Sequence, residues 1–215
     1  MHQHFGRGLF VGVSMLAAVG CAHANLLVNG SFEEPTFPDS GVHYVHVTGT
    51  ELTGWTSFST YLGTVLFNSS YDPVTDGQQA VQIEVPGDSI SQSFATVIGM
   101  QYTLSFDMLA YTGYGGPGRG GAPCPCTSIL DVSVGPASAT VGSSSAGYAT
   151  QTLDFTADAT TTTLTFTNPS DPAGIGNYPH IDNVSVVQVP EPESYALLLA
   201  GLGVLGLAIR RNKGA

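Results

Sequence analysis

Residues 111–126 carry most of the chemistry that the chain displays openly. Tyr111 and Tyr114 supply two aromatic rings, Arg119 a cation, and Cys124 and Cys126 two thiols, all within a run of Gly and Pro. Aromatic faces stack on sugar rings, and a guanidinium donates hydrogen bonds to hydroxyl or carboxylate groups. Tyr111, Tyr114 and Arg119 therefore read as a contact surface for an extracellular polysaccharide, acidic ones included. The competing reading is a long excursion with no partner, because long loops in compact domains are either functional or disordered. A disulfide between Cys124 and Cys126 would close a very small, strained ring and clip this stretch; pairing between chains and a redox switch are the alternatives.

Other chemistry finds fewer residues. Zinc would need two ligands beyond the cysteines. His43 and His46 form an H-x-x-H, but on a strand they point to opposite faces. The chain has no G-x-S-x-G elbow, no H-E-x-x-H and no phosphate loop. Carboxylate pairs for glycoside hydrolysis depend on spatial separation, which a sequence does not fix. An enzyme is thus the weaker class, behind a binding module and a purely structural matrix or adhesin component. Trp55, the only tryptophan, follows a Thr-Gly turn and reads as a core plug.

The elements that position these residues read as strands. Alternating apolar runs recur at Leu26–Val28, Val42–Val47, Tyr61–Phe67, Ala80–Val85, Ile90–Phe94, Tyr102–Leu109, Ile129–Val134, Thr152–Thr156, Thr162–Thr167 and Ile181–Val187. Tyr102, Leu104, Phe106 and Met108 share one face by period 2. Turn chemistry separates the runs at Asn29-Gly30, Asp76-Gly77 and Pro86-Gly87-Asp88. Ten short strands without a helical stripe predict an all-β sandwich over residues 25–189.

Charge bounds the partners. Residues 25–189 hold 14 acidic residues and one basic residue, Arg119, for a formal charge of −13. Such a surface repels nucleic acid and anionic headgroups.

The two ends are expected to be processing segments. At the N-terminus, Arg7, the apolar run Leu9–Val19 and Ala22-His23-Ala24 form a signal peptide over residues 1–24. The run 18–21, ending at Cys21, loosely resembles a lipobox. At the other end stand Val189, Pro190, Glu191 and Pro192, an apolar segment over 194–209 that is expected to be a transmembrane helix, and a basic tail with Arg210 and Arg211. The positive-inside rule puts that tail in the cytoplasm and everything upstream outside it. The order of these three parts over residues 190–215 resembles the PEP-CTERM sorting signal. The resemblance implies cleavage by an exosortase-type membrane protease near Pro190–Pro192, a transient stay at the inner membrane, and delivery to the cell surface or an exopolysaccharide matrix.

A second resemblance covers nearly all of residues 25–189. Its pieces are Leu27-Val28-Asn29-Gly30-Ser31-Phe32-Glu33, then Asp76-Gly77-Gln78-Gln79-Ala80-Val81-Gln82-Ile83, then Ile181-Asp182-Asn183-Val184-Ser185-Val186. Their order resembles the galactose-binding-domain-like jelly rolls, among them several carbohydrate-binding-module families. It implies first and last strands that lie close together. It also implies a structural Ca²⁺ beside them, held by Glu33, Asp182 and backbone carbonyls; without the ion these two acids would cap turns or face solvent.

Overall fold

Period-2 alternation builds the frame. The computed structural model describes residues 24–36, 41–111, 128–143, 147–169, 178–190, 199–203 and 206. Among these lie eleven strands: β1 Tyr44–Val47, β2 Thr56–Phe58, β3 Thr64–Asn68, β4 Gln79–Gln82, β5 Ser89–Ala95, β6 Gln101–Tyr111, β7 Ser128–Val134, β8 Ala137–Ser143, β9 Ala149–Thr156, β10 Thr161–Thr167 and β11 Tyr178–Gln188. They form two sheets, ordered β1-β3-β4-β11-β6-β9 and β2-β5-β10-β7-β8. Every registered pair is antiparallel. The chain is an all-β jelly-roll sandwich, as expected.

The core fills the space between the sheets. Tyr102, Leu104, Phe106 and Met108 of β6 all enter it, as their alternation requires, with Ile181 and Val186 of β11 beside them and Leu164, Phe166, Leu130 and Val132 opposite. Trp55 is also core: it is 1% exposed, donates its Nε1–H to the Asn29 carbonyl at 3.0 Å, and packs against Phe32.

One expected strand is absent, and two observed strands are unexpected. Leu26–Val28 is not a strand, although it runs beside β11. Leu26 N–H reaches the Val186 carbonyl, but Leu27 N–H goes to Asn25 Oδ1 and Val28 N–H to Gln92 Oε1. Side chains have taken the donors that a ladder would use. Two strands lack the apolar alternation that would reveal them. β2 is three residues long. β8 is built of Ala, Ser, Thr, Val and Gly, and it forms because the turn after Val134 returns it along β7 over seven registered positions.

One sheet face carries a second, smaller core. β3 is buried on both faces over Thr64–Phe67, because residues 69–78 fold over its outer side. Val65, Phe67 and Ala80 make this satellite cluster, with Tyr71 and Val74 packed on it.

Of the apolar C-terminal segment, residues 199–203 and 206 are helical. Among the described residues no helix is long and apolar enough to cross a membrane.

Candidate functional site

The outer face of the six-stranded sheet holds three features in a row along β11, at Tyr178, His180 and Asp182. Alternation aims these side chains the same way, opposite to Ile181.

At Asp182 the sequence motifs meet. Asp182 Oδ2 accepts from the N–H groups of Thr75 (2.7 Å) and Asp76 (2.9 Å) and from Thr75 Oγ1, while Oδ1 accepts from Asn183 N–H. Glu33 Oε1 accepts from Gln78 N–H (2.7 Å) and Gln79 N–H (2.8 Å). Ser31 Oγ donates to Asp76 Oδ2, and Gln79 Nε2 donates to the Phe32 carbonyl. Two acids distant in sequence thus clamp one loop, 75–79. Local geometry explains the motif residues. Asn183 sits at φ +52°, where the register between β11 and β6 shifts. Asn tolerates this left-handed region better than most residues, and a bulge needs it. Gly30 accepts Val184 N–H at its carbonyl, and a Cβ there would collide with the Val184 carbonyl oxygen. Burial raises the Asp182 carboxyl to about 6 against the opposing pull of its backbone and Thr75 hydrogen bonds. Among the described residues no group of three or more His, Cys, Asp and Glu is arranged to hold a metal ion.

At His180 the face is sealed. The ring is fully buried, pairs with Gln82 Oε1 through Nε2 at 2.8 Å, and packs on Phe67 with centroids 4.6 Å apart. Asp72 Oδ2 lies 3.7 Å from Nδ1. Burial pushes both groups toward their neutral forms, Asp72 up to about 6 and His180 down to about 3. Tyr148 faces the same region. Burial raises its hydroxyl further from ionisation, and Asp182, Asp72 and Asp107 add to that, so it serves this interior and not a sugar platform.

At Tyr178 the face opens into a groove of about 530 Å³, within the range of small-ligand pockets. Four tyrosines from four separate segments line it: Tyr44 of β1, Tyr61 before β3, Tyr71 on the satellite cluster, and Tyr178. The Tyr44 and Tyr71 rings lie 5.0 Å apart, tilted 52°. The turn behind them is held by side-chain hydrogen bonds. Buried Asp88 accepts from Ser59 Oγ (2.8 Å) and Thr60 N–H (2.9 Å), and Ser59 Oγ in turn accepts from Tyr61 N–H and Gly63 N–H. Gly63 needs its φ of +108° to close this turn. The result is that Tyr61 and Leu62 are held out in solvent, 75% and 49% exposed. His46 and Glu84 add polar groups to the same lining, His46 Nδ1 and Glu84 Oε2 being 3.9 Å apart. Burial raises the Glu84 carboxyl, with His46 opposing and Asp88 adding to the rise.

Most of the sequence-based site residues lie outside the described residues. Tyr111 ends β6, its backbone opposite Tyr178, but its side chain lies outside the described residues, as do Tyr114, Arg119, Cys124 and Cys126 entirely. Of the sorting residues, Val189 donates its N–H to the Gln101 carbonyl. Pro190 follows it, and Glu191, Pro192, Arg210 and Arg211 lie outside the described residues, as do residues 1–23, where a signal peptide is expected. Sequence reasoning misses the groove tyrosines because no two stand close along the chain. The usable signal is the Tyr44-x-His46 alternation, which puts two ring side chains on the non-core face of a strand.

A family model described as "Protein of unknown function (DUF642)" matches residues 25–187. The chain belongs to this family. The model of the PEP-CTERM protein-sorting motif matches residues 188–212, so the DUF642 domain runs directly into a signal for export and surface localisation. A curated relative, Halomucin of Haloquadratum walsbyi, is 28% identical over 189 residues; these are 86% of this chain and 2% of that protein. Among solved structures, the carbohydrate-binding module TmCBM61 in complex with β-1,4-galactotriose superposes with a TM-score of 0.50 at 13% identity, covering 77% of this chain and 99% of the module. The α-L-arabinofuranosidase MgGH51, bound to arabinose, superposes with a TM-score of 0.49 at 16% identity, over 77% of this chain and 26% of the enzyme. The former likeness shows the fold.

Proposed function

We propose that this DUF642 domain is a glycan-binding surface module, and that the tyrosine groove at Tyr178 is its binding site. The observation that carries this is Tyr61, held three-quarters exposed by a turn hydrogen-bonded through Ser59 and Asp88, beside three further tyrosines. Holding an aromatic ring in water is unfavourable unless something covers it. A sugar ring supplies a C–H face for the aromatics and hydroxyls for His46 and Glu84. TmCBM61 holds a galactotriose on the same kind of frame, which supports the class of ligand without naming it. The reading is non-enzymatic: His46 and Glu84 serve here as binding groups.

The experiment is retention of the full-length protein on the host's own exopolysaccharide. Tyr44→Ala and Tyr61→Ala remove partly or largely exposed rings and leave the core intact, so both should fold normally and lose retention. Retention equal to the parent's would refute the groove. The stretch that begins at Tyr111 is the second arm. Should Tyr111→Ala with Tyr114→Ala alone abolish retention, the contact lies there and with Arg119.

Sorting and calcium complete the reading. An exosortase-type protease would act at Pro190–Pro192, immediately after β11. A calcium ion shared by Glu33 and Asp182 would stiffen the loop 75–79 that both already grip. A carboxylate offers about four lone-pair sites, and Asp182 has four donors, so the ion would displace at least one of them.

A further inference from the structure

We propose that the groove's ligand is a polysaccharide bearing free amino groups, a cationic amino-sugar polymer, with Glu84 as the residue that selects the amine. This rests on the glycan-binding reading and narrows it to one charge class.

The groove is defined first by what it lacks. Among the described residues there is no Lys and no Arg. Polyuronates and sulfated polymers are normally held by such cations, and here they would instead meet a domain of formal charge −13. That field repels polyanions and concentrates polycations at the surface. A neutral glycan would feel neither effect, and it would leave the carboxylate without a matching charge.

What the groove has fits an amine on three counts. Among the described residues Glu84 is the one acidic residue in its lining, with its side chain 28% exposed, so the carboxylate is screened but reachable. Its neighbour His46 does not neutralise it by a hydrogen bond: the two lie 3.9 Å apart, and His46 Nδ1 is buried with no hydrogen-bond partner among the described residues. Buried Asp88, tied up by Ser59 and Thr60, adds a second negative charge behind the first. Four tyrosines line the same groove as this carboxylate, and an ammonium over an aromatic face is attracted by the ring quadrupole. The same rings stack on the sugar's C–H face. An aminoglycan therefore satisfies stacking, charge and cation–π attraction together, whereas a cationic peptide offers the charge without the flat ring.

The test is one polymer in two chemical states. Chitosan oligomers and the same sample after N-acetylation differ only in the amine. The purified full-length protein is titrated with each, with cello-oligosaccharides as a neutral control and oligolysine as a cationic control. The expected result is that the free amine binds about fivefold or more tighter than its acetylated form, that oligolysine is weaker than chitosan, and that Glu84→Gln abolishes the chitosan preference while its melting temperature matches the parent's. Equal binding of both chitosan states overturns the amine proposal and leaves the glycan reading standing. A preference that survives Glu84→Gln, or oligolysine binding as tightly as chitosan, also overturns it, the first by removing Glu84 and the second by reducing the effect to bulk charge. If neither chitosan state nor the cello-oligosaccharides bind, the amine proposal is overturned, and retention on the host's exopolysaccharide decides the glycan reading separately.

Discussion

Replacing Asp72 by Asn should stabilise the protein at neutral pH, although it removes a charge that sits beside a histidine. Asp72 is 4% exposed, and neither of its carboxyl oxygens has a hydrogen-bond partner among the described residues. His180 is within 3.7 Å, but burial lowers it to about 3, so at neutral pH it carries no charge to compensate. Desolvation raises Asp72 from 3.8 to about 6. A raised carboxyl binds more protons folded than unfolded, so its stability contribution falls as pH rises from about 4 to about 6, and the cost is fully present above that. At about 1.4 kcal/mol for each pH unit, the rise from 3.8 to about 6 costs about 3 kcal/mol. Asn keeps the shape and cannot ionise. In urea unfolding, the advantage of Asp72→Asn over the parent should therefore be about 2.4 kcal/mol larger near pH 7 than near pH 4, where part of the cost has already developed. The contribution of Asp182 is common to both chains and cancels in this double difference, and that of His180 cancels as long as it stays neutral in both. If the variant instead loses ground near pH 7, Asp72 and a protonated His180 form an ion pair, and this interior is not neutral.

Gly30→Ala should destabilise the domain by about 3 kcal/mol or more in the same unfolding assay, because its Cβ meets the backbone carbonyl of Val184 and not a yielding side chain. If Glu33 and Asp182 share calcium, EDTA should lower the melting temperature and Glu33→Gln should abolish that response; a melting curve indifferent to EDTA means that the two acids share no ion. Pro190→Ala with Glu191→Ala should block C-terminal processing in the native host, read by the mass of the mature protein. An unchanged mass would leave a plain anchor.

The frame was legible because a half-buried strand writes its two faces into alternate residues. Tyr102 to Met108 is the clearest case: four apolar side chains at period 2, all in the core. β8 was not legible, because Ala137–Ser143 carries little apolar contrast and owes its place to pairing with β7. The short motifs announced themselves by their order, and the structure gives them a physical meaning that order alone could not. Gly30 must lack a Cβ, Asn183 must turn left-handed, and Glu33 and Asp182 grip one loop. The groove was illegible for a different reason. It is assembled across four segments, and its tyrosines count as a site only after β1, β3, β4 and β11 are ordered in one sheet. Tyr111 and Tyr114 stand out in the sequence because they are neighbours there. Closeness in sequence is a weak guide in a sheet where most contacts join distant segments.

The position of β11 bears on how the molecule would carry load. The sorting motif begins at residue 188, at the end of this strand, while Tyr178 at its beginning lines the groove. A pull between a bound polymer and a C-terminal attachment would therefore run along the strand, over 11 residues or about 35 Å. β11 is an interior strand, bonded to β4 on one side and to β6 over nine registered positions on the other. Force in that direction shears its hydrogen bonds together and does not unzip them one at a time, so β11 would resist such a pull as a unit.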